Sequence, residues 1–306
     1  MFARMAAASI AVFCGMSSSL FAQTAITVGH APIAEAQNAY AAAENGYFVK
    51  HGLGVKMLRM GPNSVESLVS GSVQISMVPS TTLLQAVENG IDLVVIAGCG
   101  VISPTIKSVA ITAHAKSGIQ SISDLKGKKV GVPSVGAFLD VIFRRWLQQN
   151  KFDPRSIQFI EIAIPNTVDV MRAGQLDAIV AGQPFTSRIE EMGAGKVLSY
   201  FTTDLPAGTP YIVFAAMRDY AAKNPQVISG FQKAVREGAD FGRSDPAKMK
   251  EFVAKYTGQP LEIINRVPAP ECKADFEPSQ YTWLIDVLME QGRLSKKLDP
   301  AQFVIR

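Results

Sequence analysis

Three hydroxyl-bearing residues, Ser80, Thr81 and Ser134, each follow an apolar β-type run and stand where a helical pattern begins. A helix start leaves backbone N–H groups unpaired and carries partial positive charge, so hydroxyls there can help hold an anionic head group. Ser and Thr also cap helices whether or not anything binds, and read singly each serves either purpose equally well. Facing one another across a cleft, they favour ligand contact.

In open α/β sheets ligands bind beyond the carboxyl ends of strands, which adds further candidates at the same kind of junction. They are His30, Pro32 and Ile33 after the first strand-like run and Gly100 and Val101 after the fourth. Val135, Gly136 and Phe138 stand beside Ser134, and Asn166, Gln183 and Phe185 follow two later runs. Phe138 and Phe185 offer ring faces that can stack on an aromatic ligand or pack in a core. His30 has a plain framework reading as a hydrogen-bonded residue at a strand end. No Arg or Lys stands at these junctions: Arg144 and Arg145 lie a turn or two into their helix, and Lys107 precedes a strand. That disfavours a small, fully charged sulfonate and leaves room for an aromatic or weakly polar ligand.

Other chemistries lack their residues. The three histidines, His30, His51 and His114, show no metal-binding spacing and no accompanying carboxylate cluster, so no metal site is expected. Residues 131–136 carry glycines but neither the Gly-Lys-Ser/Thr ending of a P-loop nor dinucleotide spacing, and no G-x-S-x-G elbow occurs. No catalytic residue and no cofactor is expected.

The candidate junctions exist only if strands and helices alternate, and the chain is patterned that way. It has 306 residues, 48% hydrophobic and 18% charged, enough at roughly 100 to 200 residues per domain for two cored domains. The net charge of +4 is spread without a Lys/Arg block, so no nucleic-acid partner is expected. Residues 1–22 read apart: Arg4 is the only charge, residues 6–13 are apolar, and small residues follow to Ala22. That is the pattern of a cleaved secretory signal peptide, and it predicts export to the periplasm. Beyond it Cys99 and Cys272 remain. They are read as two separate buried thiols, with a single disulfide as the alternative.

From residue 26 apolar runs alternate with helical patterns, the signature of parallel sheets covered by helices. Strands are predicted at 26–29, 55–59, 73–78, 93–97 and 108–113, with helices at 34–45, 64–70 and 80–89. After a polar stretch at 116–129 the alternation restarts, with strands at 130–132, 158–162 and 178–181 and helices at 137–150, 167–173 and 184–192. A strand at 211–217 and helices at 225–243, 246–256 and 279–291 complete the chain. The late helices must cover an existing sheet, which makes one domain discontinuous. The expected fold is α/β with two lobes, each a mostly parallel sheet flanked by helices, and two hinge crossings near 112–115 and 206–211. Lobe I takes residues 23–112 and 212–306, and lobe II takes 113–211.

Three segments carry a further likeness. Ser123-Asp124-Leu125-Lys126-Gly127-Lys128-Lys129-Val130-Gly131-Val132-Pro133 is the most specific. The second is Ala42-Ala43-Glu44-Asn45-Gly46-Tyr47-Phe48, continuing to Gly52-Leu53. The third is Ala173-Gly174-Gln175-Leu176-Asp177-Ala178 followed by Gln183-Pro184-Phe185. In order and spacing they resemble the bacterial ABC-transporter solute-binding proteins of the aliphatic sulfonate, taurine, nitrate and thiamine-pyrimidine-precursor group. The resemblance implies a type II periplasmic binding fold, a monomer, and ligand contacts from Ser134 to Phe138. It implies a periplasmic protein that closes on a small molecule, sulfonate-like or aromatic and pyrimidine-like, and delivers it to an inner-membrane ABC permease with its ATPase. A related enzyme and a ligand-sensing subunit on the same fold are the alternatives. One branch of that group makes a thiamine pyrimidine with a cysteine-rich motif that has no counterpart here.

Overall fold

The computed structural model describes residues 23–61, 63–275 and 277–305, and the expected signal peptide at 1–22 lies outside the described residues. The chain begins with β1 (Thr24–His30), α1 (Gln37–Glu44), α2 (Tyr47–Lys50), β2 (Leu53–Arg59) and α3 (Ser64–Val69). It continues through β3 (Ile75–Pro79), α4 (Ser80–Glu88) and β4 (Leu93–Val101). A second series holds β5 (Val109–His114), β6 (Lys129–Val132), α5 (Phe138–Gln149), β7 (Gln158–Glu161), α6 (Thr167–Arg172), β8 (Ala178–Gly182), α7 (Phe185–Glu191) and β9 (Gly195–Ser199). Last come β10 (Pro210–Met217), α8 (Arg218–Lys223), α9 (Pro225–Ser244), α10 (Pro246–Thr257), α11 (Leu261–Arg266) and α12 (Thr282–Glu290).

The strands form two five-stranded sheets, in the orders β2-β1-β3-β10-β4 and β7-β6-β8-β5-β9. In each sheet four strands run the same way and one, β10 or β5, is antiparallel to both of its neighbours. The chain's path explains the reversal. Each odd strand is the first one made after the chain crosses from the other lobe, through residues 102–108 into β5 and through 200–209 into β10. The other strands end at the face between the lobes, so a strand arriving from there must start at that face and run backwards.

Local sequence reading places most elements, and its departures have tertiary causes. The predicted lobe boundary at 112/113 falls inside β5, all of whose pairing lies in the second sheet, because the crossing precedes this strand. The predicted fourth strand ended at residue 97, whereas β4 runs to Val101 and every one of its residues is buried. Its far half is sustained by the 271–274 segment: Gly98 N–H donates to the Ala274 carbonyl at 2.6 Å, Lys273 N–H to Cys99 at 3.0 Å and Val101 N–H to Glu271 at 3.0 Å. Covering an open sheet edge with later chain satisfies its unpaired backbone groups. β9 was not predicted at all, since Gly195 and Lys196 dilute a short edge strand that is only half-buried.

The apolar faces divide into three cores. One face of the first sheet packs on α1, α9, α10 and α11 through Tyr40, Phe231, Val235, Phe252 and Ile264. The outer part of the second lobe is closed by Val168, Met171, Leu176, Ile179 and Ile189. The largest core joins the lobes: Val78, Leu83 and Leu84 of the first sheet's side meet Val141, Phe143 and Trp146 of α5, with Leu284, Ile285 and Leu288 of α12 between. The expectation that every late helix covers the first sheet therefore changes for α12, which packs on both α4 and α5.

Candidate functional site

The end of β4, the starts of β5, β10 and α5, and the two crossings converge on a cavity of about 20 Å³. That is room for about one water. The first lobe contributes Glu35, Val101, Ile102, Tyr211, Pro270 and Glu271; Val109, Phe138, Leu139 and Ile142 come from the second. Phe138 at the start of α5 lies 4.6 Å, centroid to centroid, from Tyr211 at the start of β10, the rings tilted by 37°. Each lobe thus brings one ring to the contact.

Glu35 belongs to the turn between β1 and α1, and its side chain lies against β4 because Gly100 has no Cβ: one there would sit 2.8 Å from Glu35 Cγ. The Glu35 carbonyl is fixed from below, accepting from the Cys99 thiol at 2.6 Å. The Cys272 thiol also donates to that carbonyl, and both cysteines are free thiols. Among the described residues the half-buried Glu35 carboxyl has no ion pair and no hydrogen bond from another residue. Burial pushes its pKa above the ordinary carboxylate value, opposed by a hydrogen bond from its own backbone N–H. On another wall Thr202 is 5% exposed, and its Oγ1 has no hydrogen-bond partner among the described residues.

Of the residues expected from sequence, Val101 and Phe138 line the cavity. Pro32 and Ile33 are half-buried beyond β1, Asn166 is exposed before α6, and Gln183 accepts from Ser187 Oγ at 2.8 Å. Phe185 packs against the outer core of the second lobe. Ser80 and Thr81, the first residues of α4, are fully buried and do not line the cavity; the Ser80 hydroxyl meets Tyr281 instead. His30 is buried against stacked tyrosines: Nδ1 lies 3.1 Å from Tyr40 Oη, and Tyr40 and Tyr256 stack at 4.3 Å. Desolvation first, and Arg59 as well, hold its pKa below the usual value despite a backbone hydrogen bond at Ala31.

The loop expected to bind an anion is already engaged. Ser134 Oγ and Val135 N–H both donate to Glu161 Oε2, at 3.2 and 3.0 Å, and Gly136 N–H donates to Asp140 Oδ2 at 2.7 Å. Asp140 is fully buried and is held by Arg144 at 2.7 Å and by Arg293 at 3.5 Å. Gly136 is needed here because its φ of +87° lies in the region that L side chains rarely adopt, and a Cβ would also displace the Arg293 guanidinium. The loop donors of Ser134, Val135 and Gly136 that a ligand anion could use are thus spent on the chain's own carboxylates.

Sequence reasoning missed Glu35, Glu271, Tyr211 and Thr202. Glu35 had a visible signal, a lone carboxylate inside the apolar run at 31–36 just beyond a strand. Tyr211 had none, because it enters the site from the start of a reversed strand, where a rule about carboxyl ends of strands does not look.

A sequence profile of the NMT1-like family matches residues 21–257. A putative binding protein of Brucella abortus is 27% identical over 283 residues, covering 86% of this chain and 84% of that protein. A putative aliphatic sulfonates-binding protein of Escherichia coli K12 is 28% identical over 204 residues, 67% of this chain and 62% of that one. The crystal structure of the periplasmic aliphatic sulphonate binding protein from Escherichia coli superposes with a TM-score of 0.75 at 24% identity, covering 91% of this chain and 96% of that one. The two-lobed periplasmic binding architecture is therefore common to both.

Proposed function

The chain belongs to the NMT1-like family, and from that membership and the cavity between its lobes we propose that it is the periplasmic solute-binding component of an ABC importer. A small organic molecule binds between the lobes, holds them together, and the joined shape is what an inner-membrane permease with its ATPase recognises. The observation that carries the reading is the cavity's double lining, with Phe138 and Tyr211 meeting from opposite lobes. A molecule seated there contacts both lobes only in the joined state, and differential contact of that kind drives a two-state equilibrium. Relatives named as binding proteins for sulfonates support the role. The monomeric state and the signal peptide at 1–22 are part of the same proposal.

Thermal unfolding in the presence of alkanesulfonates, taurine, nitrate and aromatic amines tests it. Saturation at a hundred times Kd stabilises the folded state by about 2.7 kcal/mol, which in a chain of this size raises Tm by roughly 5 to 10 °C. A flat Tm across the panel, with no change in radius of gyration by small-angle X-ray scattering, would sink the proposal. Steady product formation from a bound molecule would instead favour a related enzyme.

A further inference from the structure

We propose that the cavity takes a small organic cation, an ammonium or amidinium on an apolar or aromatic body, whose N–H groups are received by the Glu35 carboxylate and Thr202 Oγ1. This inference rests on the reading of the interlobe cavity as the solute site and names the chemistry of that solute. Charge decides it first. The cavity walls hold two carboxylates, Glu35 and Glu271, and no Arg or Lys. Lys273 pairs with Glu271 at 3.3 Å, which leaves Glu35 as the wall carboxylate without a cation.

An anionic solute meets the opposite of what it needs. The loop N–H groups of Val135 and Gly136, just before α5, are occupied by Glu161 and Asp140, and an anion beside an unpaired carboxylate is repelled at low dielectric. A cationic nitrogen relieves two defects together, the half-buried carboxyl of Glu35 that no cation faces and the unpartnered hydroxyl of Thr202. Phe138 and Tyr211 supply faces for the body of the molecule or for the cation itself. Among the described residues no set of three His, Cys, Asp or Glu side chains is placed to hold a metal ion, which points to an organic cation. Glu35 stands in the first lobe, whereas Thr202 precedes β10 in the second crossing and packs beside β5 and α5, so a molecule held by both bridges the lobes.

Burial raises the Glu35 pKa, and a bound ammonium reverses that shift. The other titratable groups facing Glu35 are Cys99 of β4, Cys272, Tyr40 of α1, Tyr211 of β10 and Glu271, none of them cationic. Cation affinity must then fall as Glu35 takes up a proton.

Isothermal titration calorimetry with benzylammonium and benzamidinium against benzenesulfonate, ethanesulfonate and nitrate tests the inference on the wild type, Glu35→Gln and Thr202→Val. The expected result is that a cation binds wild type at least tenfold more tightly than benzenesulfonate. Glu35→Gln, folded by circular dichroism, weakens the cation at least tenfold, and Thr202→Val weakens it several-fold. Wild-type affinity for the cation drops between pH 8 and pH 5, and the drop is absent in Glu35→Gln. Binding of benzenesulfonate, ethanesulfonate or nitrate as tight as that of benzylammonium overturns the inference while leaving the solute-binding role standing. The same holds if Glu35→Gln leaves cation affinity unchanged, or if native mass spectrometry finds a retained molecule without a basic nitrogen. No binding by any probe, together with no retained molecule, brings down both readings.

Discussion

A partly buried carboxyl without a cation beside it is worth less to a fold ionised than neutral, and Glu35 is in that position. Its folded-state pKa is raised, so the folded chain holds this proton to higher pH than the unfolded chain does. The associated stability is fully present below the unfolded value of about 4.3 and is lost as pH rises through the folded value. Glu35→Gln removes the ionisable group and keeps the shape. We expect its Tm to exceed that of the wild type at pH 8, with the gap narrowing toward pH 4. Differential scanning fluorimetry across that range measures it, and a variant less stable than wild type at pH 8 contradicts this account of Glu35. The same substitution is expected to weaken a cationic ligand, so stability and binding move in opposite directions at this residue. That opposition is common where a site stores unfavourable electrostatics for use on binding.

At the scale of elements, α9 shows how one position fixes a packing distance. Gly238 lies where α9 crosses α1, and a Cβ there would collide with the backbone carbonyl of Asn38. Gly242, one turn on, would bring its Cβ 2.7 Å from Met249 Cε, the movable end of a flexible side chain. Replacing a helical glycine by alanine gains about 1 kcal/mol of helix propensity, while forcing two backbones apart costs about 1 to 3 kcal/mol or more. Gly238→Ala should therefore lower the urea midpoint and Gly242→Ala should leave it unchanged or raise it. Equal effects at the two positions would show that the α1–α9 approach is not set by Gly238. The helix itself was readable, since Pro225 starts it and its apolar spacing is regular, but its pairing with a helix nearly 200 residues earlier was not. Strand β9 was unreadable for the complementary reason, because an edge strand has a weak apolar pattern and is defined by the partner it pairs with.

For the whole molecule the joint core around α12 matters most. Leu284, Ile285 and Leu288 lie in the same apolar cluster as Leu83 on one side and Phe143 on the other, so the lobes share buried surface as well as two crossings. Equilibrium unfolding in urea should accordingly be a single transition for both lobes. The chain has two tryptophans; Trp146 is buried in that core with its indole N–H on Asp204 at 2.8 Å, and Trp283 packs against the core from α12. Tryptophan fluorescence and far-UV circular dichroism should give the same midpoint, and two separated midpoints would show that the lobes are stable independently. The amino-acid sequence by itself determined that the chain folds as alternating strands and helices in two series, because periodicity and turn residues are local properties. It also carried Phe138 and Val101 to the cavity, since both stand at strand-to-helix or strand-to-loop junctions that local pattern reveals. Only the tertiary structure decided that β5 and β10 run backwards, that Ser80 and Thr81 are buried at the start of α4, and that the donors around Ser134 face Glu161 and Asp140. It alone brought Glu35, Thr202 and Tyr211 together, because residues some 170 positions apart become neighbours through chain crossings and sheet order, which no local pattern records.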